Sequence, residues 1–172
     1  MHKAIRLLLY SILVLCFGSL IAVKAATPDY GAQSAALIPD SELTVAKMLT
    51  LAVEDEYLAK GEYLKIMEEF GAQHPFSNII KAEERHIAWL KPLFVKYGVM
   101  LPPDRGVEMA KIPKTLAQAY QLGVQAEIEN IKMYQRFLKQ TLPDDVKAVF
   151  QHLLKGSENH LSAFKRAQLR RR

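Results

Sequence analysis

Hydrophobic residues recur every three to four positions along most of the chain, which is the period of an amphipathic α-helix. The first such stretch begins at Asp40 or Ser41, either of which can cap a helix, and ends near Phe70, where Gly71 stops it. Its predicted buried stripe consists of Leu43, Ala46, Thr50, Val53, Tyr57, Gly61 and Leu64. Because no window shows the strict alternation of a half-buried strand, the pattern predicts an all-α protein.

A second helix is predicted from His74-Pro75 to Tyr97-Gly98. Pro92 lies inside this stretch, so the last turns of the helix are expected to bend or to end early. Residues 99–114 contain three prolines and one glycine, and are therefore predicted to form a linker.

Two more helices are predicted after the linker. Thr115 and Gln118 fit a capping box at the start of the third helix, which runs to about Gln140. Pro143 opens the fourth helix, with two aspartates in the first turn, where the helix dipole favours acidic residues. Four long helices with the longest connection in the middle predict an antiparallel four-helix bundle made of two helical hairpins.

Two stretches, residues 81–91 and 155–165, share lysine, glutamate, histidine and hydrophobic residues at fixed offsets. The earlier stretch contains Glu83-x-x-His86, a spacing that places a carboxylate and an imidazole on one face of a helix. Carboxylate-bridged di-metal bundles repeat this pair on two of their four helices. The later stretch keeps His160 but has Ser157 where the matching carboxylate would lie.

The repeat extends upstream. Glu56 and Tyr63 are seven residues apart on the first predicted helix, and Glu127 and Tyr134 are seven apart on the third. Each half of the chain therefore carries glutamate, tyrosine, glutamate or serine, and histidine in the same order. Two such hairpins packed about a pseudo-twofold axis would point these groups at a common centre.

Several carboxylates facing the interior of a bundle need a counter-charge, which metal cations supply. Carboxylate and imidazole ligands without thiolate suit iron or manganese, and can also accept zinc or copper. The predicted ligands, for one or two ions per chain, are Glu56, Glu83, His86, Glu127 and His160. Of these, Glu83 is predicted to bridge the two ions.

Some assignments stay open at this level. Glu54 and Glu129 are alternatives to Glu56 and Glu127, because acidic residues cluster at both places. The remaining histidines outside the repeat and the signal segment are predicted to be structural or exposed, namely His74 and His152.

The second half of the centre is expected to bind metal more weakly than the first. Without a carboxylate at Ser157, His160 is equally well explained as a core histidine bonded to that serine. Tyr63 and Tyr134 are candidates for hydrogen bonds to ligand carboxylates, although buried core tyrosines are common.

Residues 1–25 are predicted to be a secretory signal peptide. Two basic residues precede an apolar run from residue 7 to residue 23, and Val23-Lys24-Ala25 has small residues at the cleavage positions. The predicted location is therefore periplasmic or secreted. The alternative is an uncleaved N-terminal anchor, which would hold the protein at a membrane. Residues 26–39 are predicted to be a spacer, and residues 40–172 a single domain.

Export changes the composition of the mature chain. Cleavage after Ala25 removes Cys16, which is the single cysteine, so thiolate metal sites and cysteine nucleophiles are excluded. It also removes Lys3, Arg6 and Lys24, which leaves 20 basic residues against 18 acidic ones. A net charge of +2 does not favour binding of nucleic acid.

The motif Glu56-x-x-Ala59-x-x-x-Tyr63 followed by Glu83-x-x-His86 resembles the first half of the ferritin-like superfamily, which includes the rubrerythrins. The likeness covers roughly residues 43–165 and is closest to an exported branch whose domain has no known function. It implies an iron or manganese bundle with ferroxidase, oxidase or peroxidase chemistry, reacting with oxygen or peroxide. Ser157 departs from the pattern and leaves the alternative of a non-catalytic metal-binding or structural bundle.

Overall fold

A computed structural model describes residues 30–170, and this part of the chain is all-helical with no strand. The elements are α1 (Ala32–Leu37), a 3-10 turn (Asp40–Glu42), α2 (Val45–Phe70), α3 (Phe76–Lys96), α4 (Gly106–Met109), α5 (Leu116–Phe137) and α6 (Asp144–Leu169). The predicted all-α class is confirmed. The predicted signal peptide and the first residues of the predicted spacer lie outside the described residues. Within residues 30–170, no helix combines the length and the apolar character needed to cross a membrane.

The helix starts follow from side-chain caps. Thr44, not Asp40 or Ser41, caps α2, since its hydroxyl accepts a hydrogen bond of 3.2 Å from the Lys47 N–H. Asp40 and Ser41 belong instead to the preceding 3-10 turn. Thr115 caps α5 as predicted, because its hydroxyl accepts from the Gln118 N–H at 3.2 Å. The helices therefore begin at the residues best able to satisfy free N–H groups.

Pro92 does not end α3, which continues to Lys96. A proline at this position removes one backbone hydrogen bond to the carbonyl of Ala88. Both residues are exposed, so solvent can bond the freed carbonyl and the helix tolerates the proline.

Part of the predicted spacer, residues 26–39, forms the short helix α1. Ala32 and Ala35 are buried against α2 and α5. Asp55 accepts a hydrogen bond of 2.8 Å from the Ala32 N–H, and Arg136 donates one of 2.6 Å to the Ala35 carbonyl. These two long-range contacts hold α1 at both of its ends, so the folded unit begins earlier than the predicted boundary at residue 40.

The long helices pack in a closed ring: α2 against α3 and α5, and α6 against α5 and α3. Two hydrophobic clusters fill the space between them. One cluster contains Val53, Leu90, Phe137 and Phe150, and the other contains Tyr63, Phe76, Tyr120 and Phe164. Along each helix these residues lie on opposite sides of the predicted ligand positions, so a polar layer is enclosed between two apolar layers.

The connection between α3 and α5 contains α4, which lies directly on α2. A Cβ atom on Gly106 would overlap the Tyr57 carbonyl, and one on Gly61 would overlap the backbone of Gly106. The two backbones can approach this closely because neither position carries a side chain.

Candidate metal centre

The structure brings all five predicted ligand residues into one buried polar layer. Glu56 is on α2, Glu83 and His86 are on α3, Glu127 is on α5, and His160 is on α6. Their exposure ranges from 0% for Glu56 to 7% for His160. Helical spacing explains the placement, since Glu83 and His86 are one turn apart and face the same way.

The first group consists of Glu56, Glu83 and His86, whose potential ligand atoms lie within 4.8 Å of one another. The Nδ1 atom of His86 is 3.0 Å from Glu56 Oε2 and 2.9 Å from Glu83 Oε2. Two carboxylates from different helices therefore converge on one imidazole nitrogen.

The second group consists of Glu83, Glu127 and His160, with potential ligand atoms again within 4.8 Å of one another. The Nδ1 atom of His160 is 3.2 Å from Glu83 Oε1 and 3.3 Å from Glu127 Oε1. Glu83 thus faces His86 with one oxygen and His160 with the other. This is the arrangement that a carboxylate bridging two cations would need.

Burial and neighbouring charges shift the pKa values of the residues in both groups. Burial opposes ionisation of Glu83, but the imidazoles of His160 and His86 outweigh it and hold the pKa of Glu83 well below its usual range. Burial would lower the pKa of His86, yet the charges of Glu56 and Glu83 raise this pKa to about 10. Burial likewise works against His160, whose pKa the carboxylates of Glu127 and Glu83 raise to about 10. The site therefore favours positive charge at both imidazole positions.

Glu56 and Glu127 each belong to one group only, and we call them the outer carboxylates. Neighbouring positive charge offsets their burial less completely than it does for Glu83. Burial raises the pKa of Glu56 to about 7, against the opposing positive charge of His86. Burial also raises the pKa of Glu127, although His160 works in the other direction. Carboxylates held away from water in this way gain most from a bound cation.

Several polar atoms of the centre lack a hydrogen-bond partner among residues 30–170, namely Glu127 Oε2, Asn130 Oδ1 and His160 Nδ1. The contacts of His160 Nδ1 with the two carboxylates are close, but neither has hydrogen-bond geometry. Buried polar atoms without partners are rare and destabilising, unless a ligand satisfies them. Carboxylate oxygens and imidazole nitrogens are metal ligands, so the residues present fit a metal ion.

Tyrosines from opposite halves of the chain support the outer carboxylates. The Tyr63 hydroxyl on α2 donates to Glu127 Oε1 at 3.0 Å, and the Tyr134 hydroxyl on α5 donates to Glu56 Oε1 at 2.7 Å. Both tyrosines are fully buried. Both interpretations of these tyrosines therefore hold, since they are buried in the core and their hydroxyls bond candidate ligand carboxylates.

Gly156 on α6 makes room for the ring of His86. A Cβ atom built on this glycine would lie 2.6 Å from His86 Cε1 and 2.7 Å from His86 Nε2. Any larger residue would therefore displace the imidazole from its position between the carboxylates.

Ser157 does not replace the missing carboxylate. Its buried hydroxyl donates to the Leu153 carbonyl at 3.2 Å. His160 is thus directed at Glu83 and Glu127, and the reading in which it bonds to Ser157 has no support in this geometry.

The alternative ligands lie outside the two groups. Glu54 and Glu129 are partly exposed, whereas Glu56 and Glu127 are buried in the centre. As predicted, two histidines are exposed, namely His74 and His152.

Sequence reasoning missed Glu62, a carboxylate on α2 that is only 7% exposed. Burial raises the pKa of Glu62 to about 7, against the opposing charge of Lys111. A signal was available in the helical spacing, since Asp55, Ala59, Glu62 and Ile66 recur at intervals of four and three and are all buried.

The centre can be approached from two sides. Between α3 and α6 an open groove of about 310 Å³ reaches His86 and His160, with Arg85 and Lys155 on its walls. Between α2 and α5 a small cavity of about 30 Å³ reaches Glu127. This second volume is about that of one water molecule.

Comparison with known proteins places the chain in a family. Residues 45–171 match the family described as an uncharacterized protein domain (DUF2202). The uncharacterized protein MJ0754 of Methanocaldococcus jannaschii is 30% identical over 128 residues, which cover 66% of this chain and 69% of that protein. The crystal structure of hypothetical protein MJ0754 from Methanococcus jannaschii is similar with a TM-score of 0.67 at 25% identity, and the match covers 77% of this chain and 85% of that chain. The chain belongs to the DUF2202 domain family.

Proposed function

We propose that this protein is a ferritin-like metal-binding protein with a carboxylate-bridged pair of metal positions. The observation that carries the proposal is Glu83, which turns one oxygen to His86 at 2.9 Å and the other to His160 at 3.2 Å. Each imidazole also has its own outer carboxylate, Glu56 on one side and Glu127 on the other. An ordinary surface ion pair would be exposed and would occur once, whereas these carboxylate–imidazole groups are buried and occur twice.

The contacts between helices support an antiparallel four-helix bundle. Glu56 on α2 contacts Tyr134 on α5, and the later residue Tyr63 on α2 contacts the earlier residue Glu127 on α5. The two helices therefore run in opposite directions. On α3 and α6, Glu83 meets His160 while the ring of Trp89 meets His152, which is again antiparallel.

Because α2 and α3 form a hairpin with a short connection, the antiparallel pairing of α2 and α5 makes α3 and α5 parallel. The connection between α3 and α5 therefore has to traverse the length of the bundle. One long crossover of this kind distinguishes the ferritin-like arrangement from a simple up-and-down bundle. The long middle linker predicted from the sequence fits this role.

Iron or manganese is the proposed metal, because the site offers carboxylate and imidazole ligands and no thiolate. Zinc or copper would also find suitable ligands here. We assign Glu56 and His86 to one ion, Glu127 and His160 to the other, and Glu83 to both. The second position is expected to be the weaker one, because Ser157 supplies no carboxylate.

Bound iron or manganese would supply one-electron chemistry towards oxygen or peroxide. The residues around it hold the ligands in place. Tyr63 and Tyr134 orient the outer carboxylates by hydrogen bonds. The groove between α3 and α6 gives a small oxidant access to the histidine side of the centre.

Ferrous oxidation by the anaerobically loaded protein tests this function. The wild-type protein is expected to oxidise ferrous ions faster than buffer does after exposure to oxygen or peroxide. Glu83→Gln should abolish the effect, because it removes the charge shared by both groups. Glu84→Gln is the matched control, since it makes the same change at the adjacent exposed position.

A second candidate is a bundle that binds metal without catalysing a reaction. The observation that favours it is Ser157, which removes one carboxylate from the second half of the centre. Under this alternative the protein binds metal through the same residues, but ferrous oxidation proceeds no faster than in buffer. The oxidation assay therefore separates the two candidates.

We also propose that the protein is exported, on the basis of the signal-peptide pattern in residues 1–25. The intact mass of protein purified from the envelope or medium tests this. A chain starting at Ala26 supports cleavage, whereas a full-length chain in the membrane fraction supports the anchor.

A further inference from the structure

The wall of the cavity between α2 and α5 carries several acidic and polar side chains. Five side chains with oxygen atoms line it, namely Asp55, Glu62, Tyr63, Glu127 and Asn130. Each of them is at most 9% exposed. Burying this much acidic and polar surface is costly unless the site meets a cation.

Two atoms on the wall of this cavity lack hydrogen-bond partners among the described residues. They are Glu127 Oε2 and Asn130 Oδ1, one turn apart on α5. Glu127 accepts from Tyr63 with its other oxygen, so Oε2 remains available on the cavity side. An amide oxygen and a carboxylate oxygen are both suitable ligands for a passing divalent ion.

The repeat does not require this polar lining. With Glu56 aligned to Glu127, the counterparts of Asp55, Glu62 and Asn130 in the other half are Ala126, Met133 and Ala59. The counterparts Ala59 and Ala126 line the same cavity, so its polar residues are not a by-product of internal symmetry.

The approach on the opposite side has the wrong charge for a cation. The groove between α3 and α6 carries Arg85 and Lys155 next to His86 and His160, and Lys155 forms an ion pair of 3.2 Å with Glu158. Like charges repel an incoming divalent ion, whereas a cleft lined by carboxylates concentrates it.

We propose that divalent cations reach the metal centre through the α2/α5 cavity, with Glu62 and Asn130 as transient ligands on the way to Glu127. This inference rests on the proposed function, since it assigns the entry route to the same centre. Asp55 has a separate structural task, because it accepts the hydrogen bond from the first residue of α1.

The rate of cobalt uptake tests the proposal, because Co²⁺ bound to carboxylates and imidazoles has visible absorption bands. Metal-free protein is mixed with Co²⁺ in a stopped-flow instrument, and both the rate and the final stoichiometry are measured. Glu62→Gln is expected to slow uptake about tenfold without changing the stoichiometry, because it keeps the size of the side chain but removes the charge.

Three further variants complete the experiment. Glu69→Gln is the matched control, since it removes a glutamate charge at an exposed position on the same helix, and it should leave the rate unchanged. Lys155→Gln on the opposite groove should also leave it unchanged. Asn130→Asp should speed uptake, because it adds a negative charge to the same cavity.

The outcomes distinguish the entry route from the centre itself. Equal rates for Glu62→Gln and Glu69→Gln would overturn the route while leaving the metal centre intact. A lower final stoichiometry in Glu62→Gln would also overturn it, because Glu62 would then be a resident ligand. Failure of the wild-type protein to bind Co²⁺ at all would overturn the proposed function and the route together.

Discussion

The hydroxyl of Tyr134 on α5 donates a hydrogen bond of 2.7 Å to the carboxylate of Glu56 on α2, 78 positions away in the sequence. Tyr63 makes the equivalent bond in the reverse sense, from α2 to Glu127 on α5, at 3.0 Å. Each hairpin thus holds an outer carboxylate of the other. The candidate metal centre is therefore also the contact that joins the two halves of the fold.

Tyr134→Phe removes one of these bonds and little else. Metal affinity is expected to fall about tenfold, because Glu56 loses the donor that orients it. The free energy of unfolding should fall by about 1–3 kcal/mol, the usual effect of losing a hydrogen bond to a charged group. Manganese binding and urea unfolding measure the two effects.

Tyr120→Phe is the control for that variant. Tyr120 donates to the His74 carbonyl at 2.9 Å, away from the centre. Its substitution should lower stability but leave the affinity for manganese unchanged. Equal loss of affinity in the two variants would mean that Tyr134 acts only through general stability.

Ser157→Glu should restore the carboxylate that the repeat lacks. The side chain at this position lies one turn before His160, as Glu83 lies one turn before His86. Affinity for the second ion is expected to rise about tenfold or more, since a ligand is added in the correct register. The metal-free variant should be less stable than wild type, because a buried carboxylate without a counter-charge is costly.

Calorimetric binding of manganese measures the effect of Ser157→Glu. Ser162→Glu introduces the same side chain at an exposed position of α6 and should change neither affinity nor stability appreciably. An unchanged second affinity in Ser157→Glu would show that this position does not face the second ion.

Gly156→Ala is expected to weaken metal binding by crowding His86. Glycine to alanine inside a helix normally stabilises by about 0.5–1 kcal/mol, but here the added Cβ would lie 2.6 Å from His86 Cε1. Loss of metal should therefore occur without the usual gain in stability. Metal content after dialysis, measured beside the unfolding midpoint, checks both parts.

Gly123→Ala is the control for Gly156→Ala, because its added Cβ atom would crowd a phenylalanine ring and not a candidate metal ligand. A Cβ atom there would lie 2.7 Å from the ring of Phe164, in the apolar cluster next to the polar layer. This variant should lose stability yet retain metal. If Gly156→Ala retained its metal as well, the role given to Gly156 would be incorrect.

Metal-free protein should lose stability as the pH rises from about 6.5 towards 10. The folded state keeps the protons of His86 and His160 up to a pKa of about 10, whereas the unfolded chain releases them near 6.5. Because the unfolded state then binds fewer protons, the free energy of unfolding falls with pH across this interval. Urea unfolding in the presence of a chelator, at several pH values, measures the slope.

Metal affinity should rise over the same interval, because a bound ion displaces those protons. A His160→Gln variant should show a shallower dependence of stability on pH than wild type does. A flat stability curve for the metal-free wild-type protein would contradict the charge arrangement described for the two groups.

The four long helices and the shared layer of the candidate ligand residues could be predicted because both depend on local spacing. Periodic hydrophobic residues define a buried face within one helix, although Ala46 and Leu64 of the predicted stripe are exposed. Glu83 and His86 share one face of their helix by their separation alone. The ordered repeat also predicts that Glu56, Glu127 and His160 lie in the same layer as Glu83 and His86. The match to the DUF2202 family agrees with the part of the sequence resemblance that pointed to a domain of unknown function.

Features that depend on distant contacts could not be predicted in this way. Helix α1 is too short to show a period, and it is held by Asp55 and Arg136 from other helices. Glu62 was missed because its counterpart in the repeat is Met133, so the repeat gave no signal for it. The predicted caps of α2, Asp40 and Ser41, lie in the preceding 3-10 turn, and the folded context selects Thr44 instead.

The stoichiometry of metal binding tests the central claim most directly. Metal-free wild-type protein is titrated anaerobically with ferrous or manganous ions, beside Glu56→Gln and Glu83→Gln. We predict about two ions per chain for the wild type, with the second bound more weakly, as expected for a carboxylate-bridged pair. Glu56→Gln should keep the second group and bind one ion, while Glu83→Gln should bind none tightly. A wild-type protein that binds no metal, or a Glu83→Gln variant that binds both ions, would contradict the account.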